Sequence, residues 1–219
     1  MVKPIILSYK GISPKIHPTA LIMPGAVVVG DVEIGEDTNV WPGVVIRGDI
    51  NHIRIGKRTN IQDGTIIHVT RHDLAAAGEG HTTIGDDVTI GHQAILHACT
   101  LENASFVGMG ATVIDGVVVK TGAMVAAGAM VTYKKIIPSG EIWAGNPAKF
   151  LRTMKQSEKE YIFQSAQNYV SDAKNYIKDL GPYQKYLFNA AYRSCRGFWR
   201  DGYWKSLNAT RTCGICSWI

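Results

Sequence analysis

Aliphatic residues recur every six positions along most of this 219-residue chain, and that spacing restricts the fold more than any other feature. Ile16, Ile22, Val28, Ile34, Val40 and Ile46 open the series, and Ile55, Ile61 and Ile67 resume it after a short insertion. Ile84, Ile90 and Leu96 follow a longer insertion, and Leu101, Val107, Val113, Val119, Val125 and Val131 close the series after one shortened step. Four residues after most of these comes a small or β-branched residue: Ala20, Ala26, Val32, Thr38, Val44, Ile50, Thr59, Thr65, Val88, Ala94, Thr100, Ser105, Ala111, Val117, Ala123 and Ala129. An amphipathic helix spaces apolar residues by three and four and a half-buried strand by two, so a strict six fits neither. Hexapeptide repeats instead build a β-helix, in which short strands wind around a prism and each coil buries its neighbour. One hexad per side of a three-sided prism predicts an all-β fold, a left-handed parallel β-helix of about six coils. Gly35, Gly56, Gly85, Gly91 and Gly108 follow aliphatic positions and are expected at corners that need unusual backbone angles.

The repeat ends before Pro138, and an irregular segment with Gly145, Asn146 and Pro147 leads into a helical pattern. Ser157 with Glu160 reads as a capping box, and Met154, Tyr161, Phe163, Tyr169 and Tyr176 as an apolar stripe ending before Gly181. The expected organisation is a β-helix domain over 1–150, a helix over 151–181 packed on a flat side of the prism, and a distinct tail over 182–219. Charge separates the tail from the rest. Of 23 basic and 18 acidic residues, 17 of each sign lie before Pro182, so the whole net charge of +5 belongs to the tail. The tail also holds Cys195, Cys213 and Cys216, and its basic and aromatic residues interleave without a helical period. A lone Cys213-x-x-Cys216 lacks the second pair of ligands of a zinc ribbon. The tail is therefore expected to be extraneous or disordered, with no dedicated nucleic-acid or membrane role. No apolar run reaches the roughly 18 residues needed to span a bilayer. MVKPIILSYK lacks a signal-peptide core, and Cys99 is the one cysteine before the tail, so a reducing, cytoplasmic location is expected.

The repeat also places the histidines. If the insertions loop out and return to the same corner, Arg47, His68 and His97 follow aliphatic residues on one side of the prism, and His68 and His97 stack about 4.8 Å apart. That suits two ligands of one metal. His92 falls on a different corner, out of reach of a tetrahedral ion bound at about 2.0 to 2.1 Å per nitrogen. A second copy resolves this, because the His92 corner of one prism can face the His68 and His97 corner of the next. The expected assembly is a closed homotrimer with three equivalent interfacial sites. Three histidines leave a fourth coordination position open, as in a catalytic zinc site. His17, His52, His72 and His81 read as ordinary surface histidines.

Arg47-Gly-Asp49, Asn60-Ile-Gln62-Asp63-Gly, His68-Val, Gly91-His92-Gln-Ala-Ile-Leu-His97-Ala-Cys99 and Gly145-Asn146-Pro-Ala-Lys149 resemble the motifs of the gamma-class carbonic anhydrases and their bacterial relatives. The resemblance covers roughly residues 10 to 180. It implies a left-handed β-helix trimer with zinc, or iron or cobalt in some members, between subunits. By the same likeness His68 and His97 are ligands from one subunit and His92 from its neighbour. Gln62 would hydrogen-bond the metal-bound solvent with Asn60 nearby, and Arg47, Asp49 and Asp63 would hold interface and site geometry. The implied activity is that of a lyase acting on a small molecule, hydrating CO₂ reversibly to bicarbonate. The loop TRHDLAAAGEGHTT after His68 departs from the acidic proton-shuttle loop of the archaeal members, leaving His72, Asp73, Glu79 and His81 as candidates without a matching position.

Two other classes share the prism. A hexapeptide acyltransferase, or a thioesterase, would act on a coenzyme A ester and an acyltransferase would use one histidine without a metal trio. A metal-stabilised trimeric scaffold would bind the ion without turnover.

Overall fold

The structure, a computed structural model, describes residues 3–74 and 79–180; the tail over 182–219 lies outside them. The chain winds as a three-sided parallel β-helix, and the three faces can be read directly from strand pairing. The first face stacks Ile5–Leu7, Val27–Ile34, Val45–Ile55, Ile66–His68, Ile95–His97, Thr112–Val113 and Met130–Val131. The second stacks Lys15–Ile16, the far ends of the two long strands, then Thr82–Ile84, Thr100–Leu101, Val118–Val119 and Ile136–Ile137. The third runs from Leu21–Ile22 through Asn39–Val40, Asn60–Ile61, Thr89–Ile90, Phe106–Val107 and Met124–Val125 to Glu141–Ala144. Lys149–Thr153 turns back antiparallel to close that sheet. The hexad series thus sits where expected, and strands at Ile5 and Ile136 extend the prism beyond it at both ends.

The hexad aliphatic residues meet in register coil by coil: Ile46 pairs with Ile67 and Ile67 with Leu96, all fully buried. Burying a side chain of this size stabilises by about 1.5–3 kcal/mol, so the column is the main source of stability. The second column is tied by hydrogen bonds as well as packing. Thr38 Oγ1 donates to the Gly56 carbonyl at 2.7 Å, Thr59 Oγ1 to Gly85 at 2.8 Å and Thr65 Oγ1 to Gly91 at 3.1 Å, each one coil ahead. The shortened step from Leu96 to Leu101 changes this column locally. Cys99 takes the inner position there and Thr100 turns partly outward, because the inner residue is fixed two positions before the next aliphatic. For the same reason Ile53, not Ile50, fills the core before Ile55.

The glycines after the aliphatic residues have ordinary backbone angles, contrary to expectation. They are small because the coils approach too closely for a side chain: a Cβ on Gly35 would stand 2.5 Å from the Gly56 carbonyl oxygen, and one on Gly91 2.6 Å from the Met109 nitrogen. The left-handed angles fall further along each corner, for example at Gly64 (φ 70°) and, one coil on, Gln93 (φ 58°).

The helix α1 spans Gln156–Leu180 and packs on the third face. Its N-terminal box lies two residues earlier than the sequence indicates, with Glu158 Oε2 accepting from the Lys155 backbone N–H at 2.8 Å. Its buried stripe is Ile162, Ser165, Ala166 and Ala173, whereas Tyr161, Phe163 and Tyr176 stay about half exposed. Spacing by three and four selects the first set. Tyr169 and Tyr176 instead place their rings edge-on to Trp41, with centroids 5.6 and 5.2 Å away.

Candidate metal centre

The strand that ends at His68 and the strand that ends at His97 are neighbours in register, with the two histidines directly paired. Each side chain points outward because it follows an inward aliphatic residue. His68 Nδ1 faces His97 Nε2 across 3.3 Å. Each ring is held by its other nitrogen: His68 Nε2 lies 3.0 Å from Asp49 Oδ1, and His97 Nδ1 lies 2.9 Å from Asp115 Oδ2. Arg47 Nη1 donates to Asp49 Oδ2 at 2.7 Å. Desolvation alone would raise the Asp49 carboxyl, but the hydrogen bonds from Arg47 and His68 outweigh it and hold the group below its usual range. For Asp115 the same opposition is decided by hydrogen bonds from Thr70 and His97. The His68 imidazole is shifted down, chiefly because burial disfavours its charged form.

The second group of predicted residues forms on the third face. His92 follows Thr89–Ile90, and its Nδ1 lies 2.9 Å from Asp63 Oδ2. Gln62 Nε2 donates to Asn60 Oδ1 at 3.0 Å, and Asn60 Nδ2 donates to Thr89 Oγ1 at 2.8 Å. Thr89 pairs in turn with Ser165 of α1, their hydroxyls 3.1 Å apart. A groove of about 260 Å³ between α1 and this face is lined by Gln62, His92, Phe106, Met124, Tyr161 and Tyr169, among others. Polar and apolar side chains therefore share its wall.

All eight sequence-predicted residues lie among the described residues, in two groups, with His92 apart from His68 and His97. Among the described residues, no three His, Cys, Asp or Glu side chains of one chain converge as a metal-holding group. His92 is separated from the His68 and His97 pair by a corner of the prism. The donor chemistry nevertheless fits an ion. Two nitrogens bound to a tetrahedral zinc at about 2.0 to 2.1 Å are about 3.3 Å apart, the separation of His68 Nδ1 and His97 Nε2. All three histidines have a carboxylate on one nitrogen, the usual support of metal-binding imidazole. Asp115, Thr70, Thr89 and Ser165 are not legible as site residues in the sequence. Asp115 and Thr70 lie at a corner, past the outward positions of their strands, and reach the site only through side-chain contacts between coils, whereas Ser165 depends on how the helix docks.

Comparison with known proteins agrees with this fold. Residues 13–48 match the family described as bacterial transferase hexapeptide (six repeats). Gamma carbonic anhydrase 2, mitochondrial, of Arabidopsis thaliana is 50% identical over 73% of this chain, which spans 57% of that relative's length. A carbonic anhydrase of Geobacillus kaustophilus is 35% identical over 78% of this chain and 91% of its own. The crystal structure of a hexapeptide transferase family protein from Anaplasma phagocytophilum is 47% identical, covers 78% of this chain and 98% of its own, and superposes with a TM-score of 0.73. The chain belongs to the gamma-class carbonic anhydrases of the hexapeptide-repeat β-helix proteins. Within its described residues, no helix is long and apolar enough to cross a membrane.

Proposed function

We propose that this chain hydrates CO₂ reversibly to bicarbonate as a homotrimer, with a divalent metal held by His68 and His97 of one subunit and His92 of the next. Zinc is the first choice of ion, with iron(II) or cobalt(II) as alternatives. The observation that carries the reading is the facing pair of imidazole nitrogens 3.3 Å apart, each ring anchored by its own carboxylate. When bound, the ion would supply Lewis acidity that lowers the pKa of a water toward about 7. Asp49, Asp115 and Asp63 accept the ring N–H protons and so fix which nitrogen of each imidazole is a lone-pair donor. Gln62 would orient the attacking oxygen: one N–H of its amide is committed to Asn60, which fixes the amide plane and leaves the carbonyl oxygen and the second N–H for that contact. The apolar wall of Phe106 and Met124 suits an uncharged linear substrate better than an ion. Arg47 neutralises Asp49 and lies at the rim, where a neighbouring prism would sit.

Exposure supports assembly. The His92 and Asp63 side chains are 44% and 48% exposed in the isolated chain. Ile66 and Ile95, beside the His68 and His97 pair, are 45% and 42% exposed, so a second copy would cover apolar surface as it completes the ligand set. The compartment proposed is the cytoplasm, and the functional unit is residues 1–181, with 182–219 dispensable. Truncation after Gly181 should leave subunit number and metal content unchanged by light scattering and elemental analysis.

The deciding experiment is stopped-flow CO₂ hydration by the purified trimer before and after chelation. Loss of activity on chelation and its return with zinc is expected. A metal-replete trimer no faster than uncatalysed hydration would overturn the enzymatic reading in favour of a scaffold. Acetyl transfer from acetyl-coenzyme A that ignores chelators would favour the transferase chemistry named for the Anaplasma structure.

A further inference from the structure

We infer that Asp115, steadied by Thr70, is a positioning residue that sets the tautomer and direction of His97; the inference rests on the metal reading above. Asp115 lies two residues beyond Val113, on the coil after His97, and its Oδ2 stands 2.9 Å from His97 Nδ1. Its other oxygen, Oδ1, accepts from the Thr70 hydroxyl. Thr70 lies two residues beyond His68 and is itself pinned, its N–H donating to the Gly80 carbonyl at 2.8 Å and its carbonyl accepting from Asn51 Nδ2 at 3.2 Å. Three successive coils are therefore clamped at one corner, and both ends of the Asp115 carboxylate are used.

The consequence is directional. A carboxylate only accepts at neutral pH, so Asp115 requires the His97 proton on Nδ1 and leaves the Nε2 lone pair facing His68. An asparagine at 115 can present its NH₂ to Nδ1 instead. That turns the proton onto Nε2, into the space between the two imidazoles.

Cobalt(II) titration of the full-length protein, followed by visible absorption and by competition with a chelator, tests this. Asp115→Asn is expected to weaken cobalt binding by about 10- to 100-fold and to change the shape of the visible bands. Thr70→Val, which keeps the carboxylate but frees one of its oxygens, should weaken binding less and in the same direction, and it remains informative if Asp115→Asn fails to fold. Glu102→Gln, which removes a surface charge paired with Lys120, should match the unaltered protein. Equal affinity and an unchanged spectrum in both Asp115→Asn and Thr70→Val would overturn this assignment alone. Failure of the unaltered protein to take up cobalt would overturn the metal reading and this inference together.

Discussion

The two halves of the centre differ in how completely one chain builds them. On the first face, His68 and Asp49 are shielded, with side chains 16% and 17% exposed, and the pair with His97 is set by strand register. On the third face, His92 and Asp63 are nearly half exposed, although Gln62 and Asn60 beside them are buried. Both halves stand on neighbouring coils of one sheet, and the first is the more enclosed. The second is prepared behind, by Asn60, Thr89 and Ser165, and open in front. On the proposed reading, a single chain fixes two ligands and leaves the third to a contact it cannot make with itself, so metal binding and association should be one event.

Removing either half should have the largest effect. His97→Ala is expected to lose metal and drop CO₂ hydration to background while the exposed apolar surface around Ile66 and Ile95 is kept. His92→Ala should lose metal and weaken the trimer to the same extent as His97→Ala, as measured by elemental analysis and light scattering. A trimer with full metal content after His92→Ala would break the comparison, because the third ligand would then lie elsewhere. Gln62→Ala tests the prepared back of the open half and should lower kcat by about 100-fold with metal content retained, in line with loss of one preorganised hydrogen-bonding group.

Smaller effects should separate held from unheld polar groups inside the prism. Thr59 Oγ1 donates to Gly85 and accepts from the Val88 N–H at 3.1 Å. Ser105 occupies the same column, but its hydroxyl is buried without a partner. Thr59→Val should cost about 1–3 kcal/mol in denaturant unfolding, and Ser105→Ala should change stability by less than about 0.5 kcal/mol or improve it. The smallest effect concerns His52, whose ring stacks on His81 with centroids 4.7 Å apart. Burial first, then the positive charge of Arg54, holds its imidazole below the usual range. Its folded form therefore resists protonation, so its contribution is present above about pH 6.5 and fades as pH falls below that value. Thermal unfolding scans should show this decline, and His52→Gln should flatten it.

Much of the centre's layout is legible in residue spacing alone. The hexad count puts His68 beside His97 and separates His92, since strand register in a β-helix follows from counting once insertions return to the same corner. The groupings Arg47 with Asp49 and Asn60 with Gln62 are visible in the same way, because residues two apart on one strand share a face. Counting fails where a local length change moves a position, as at Cys99 and Ile53, and where a choice depends on packing between elements. The aromatic spacing of the helix points to its tyrosines as core, whereas the docked helix buries the smaller Ala166 and Ala173 against the sheet.

A strict six-residue period admits one winding and assigns each residue to a face, so the prism, its register and the faces on which the three histidines stand all follow from the order of residues. Which nitrogens face each other, the support that Asp115 and Thr70 give His97, and the reach of Ser165 to the Gln62 network through Thr89 emerge from tertiary packing alone. Those contacts join residues on separate coils or on the helix, and their distances depend on side-chain orientation and helix docking, which no spacing along the chain encodes.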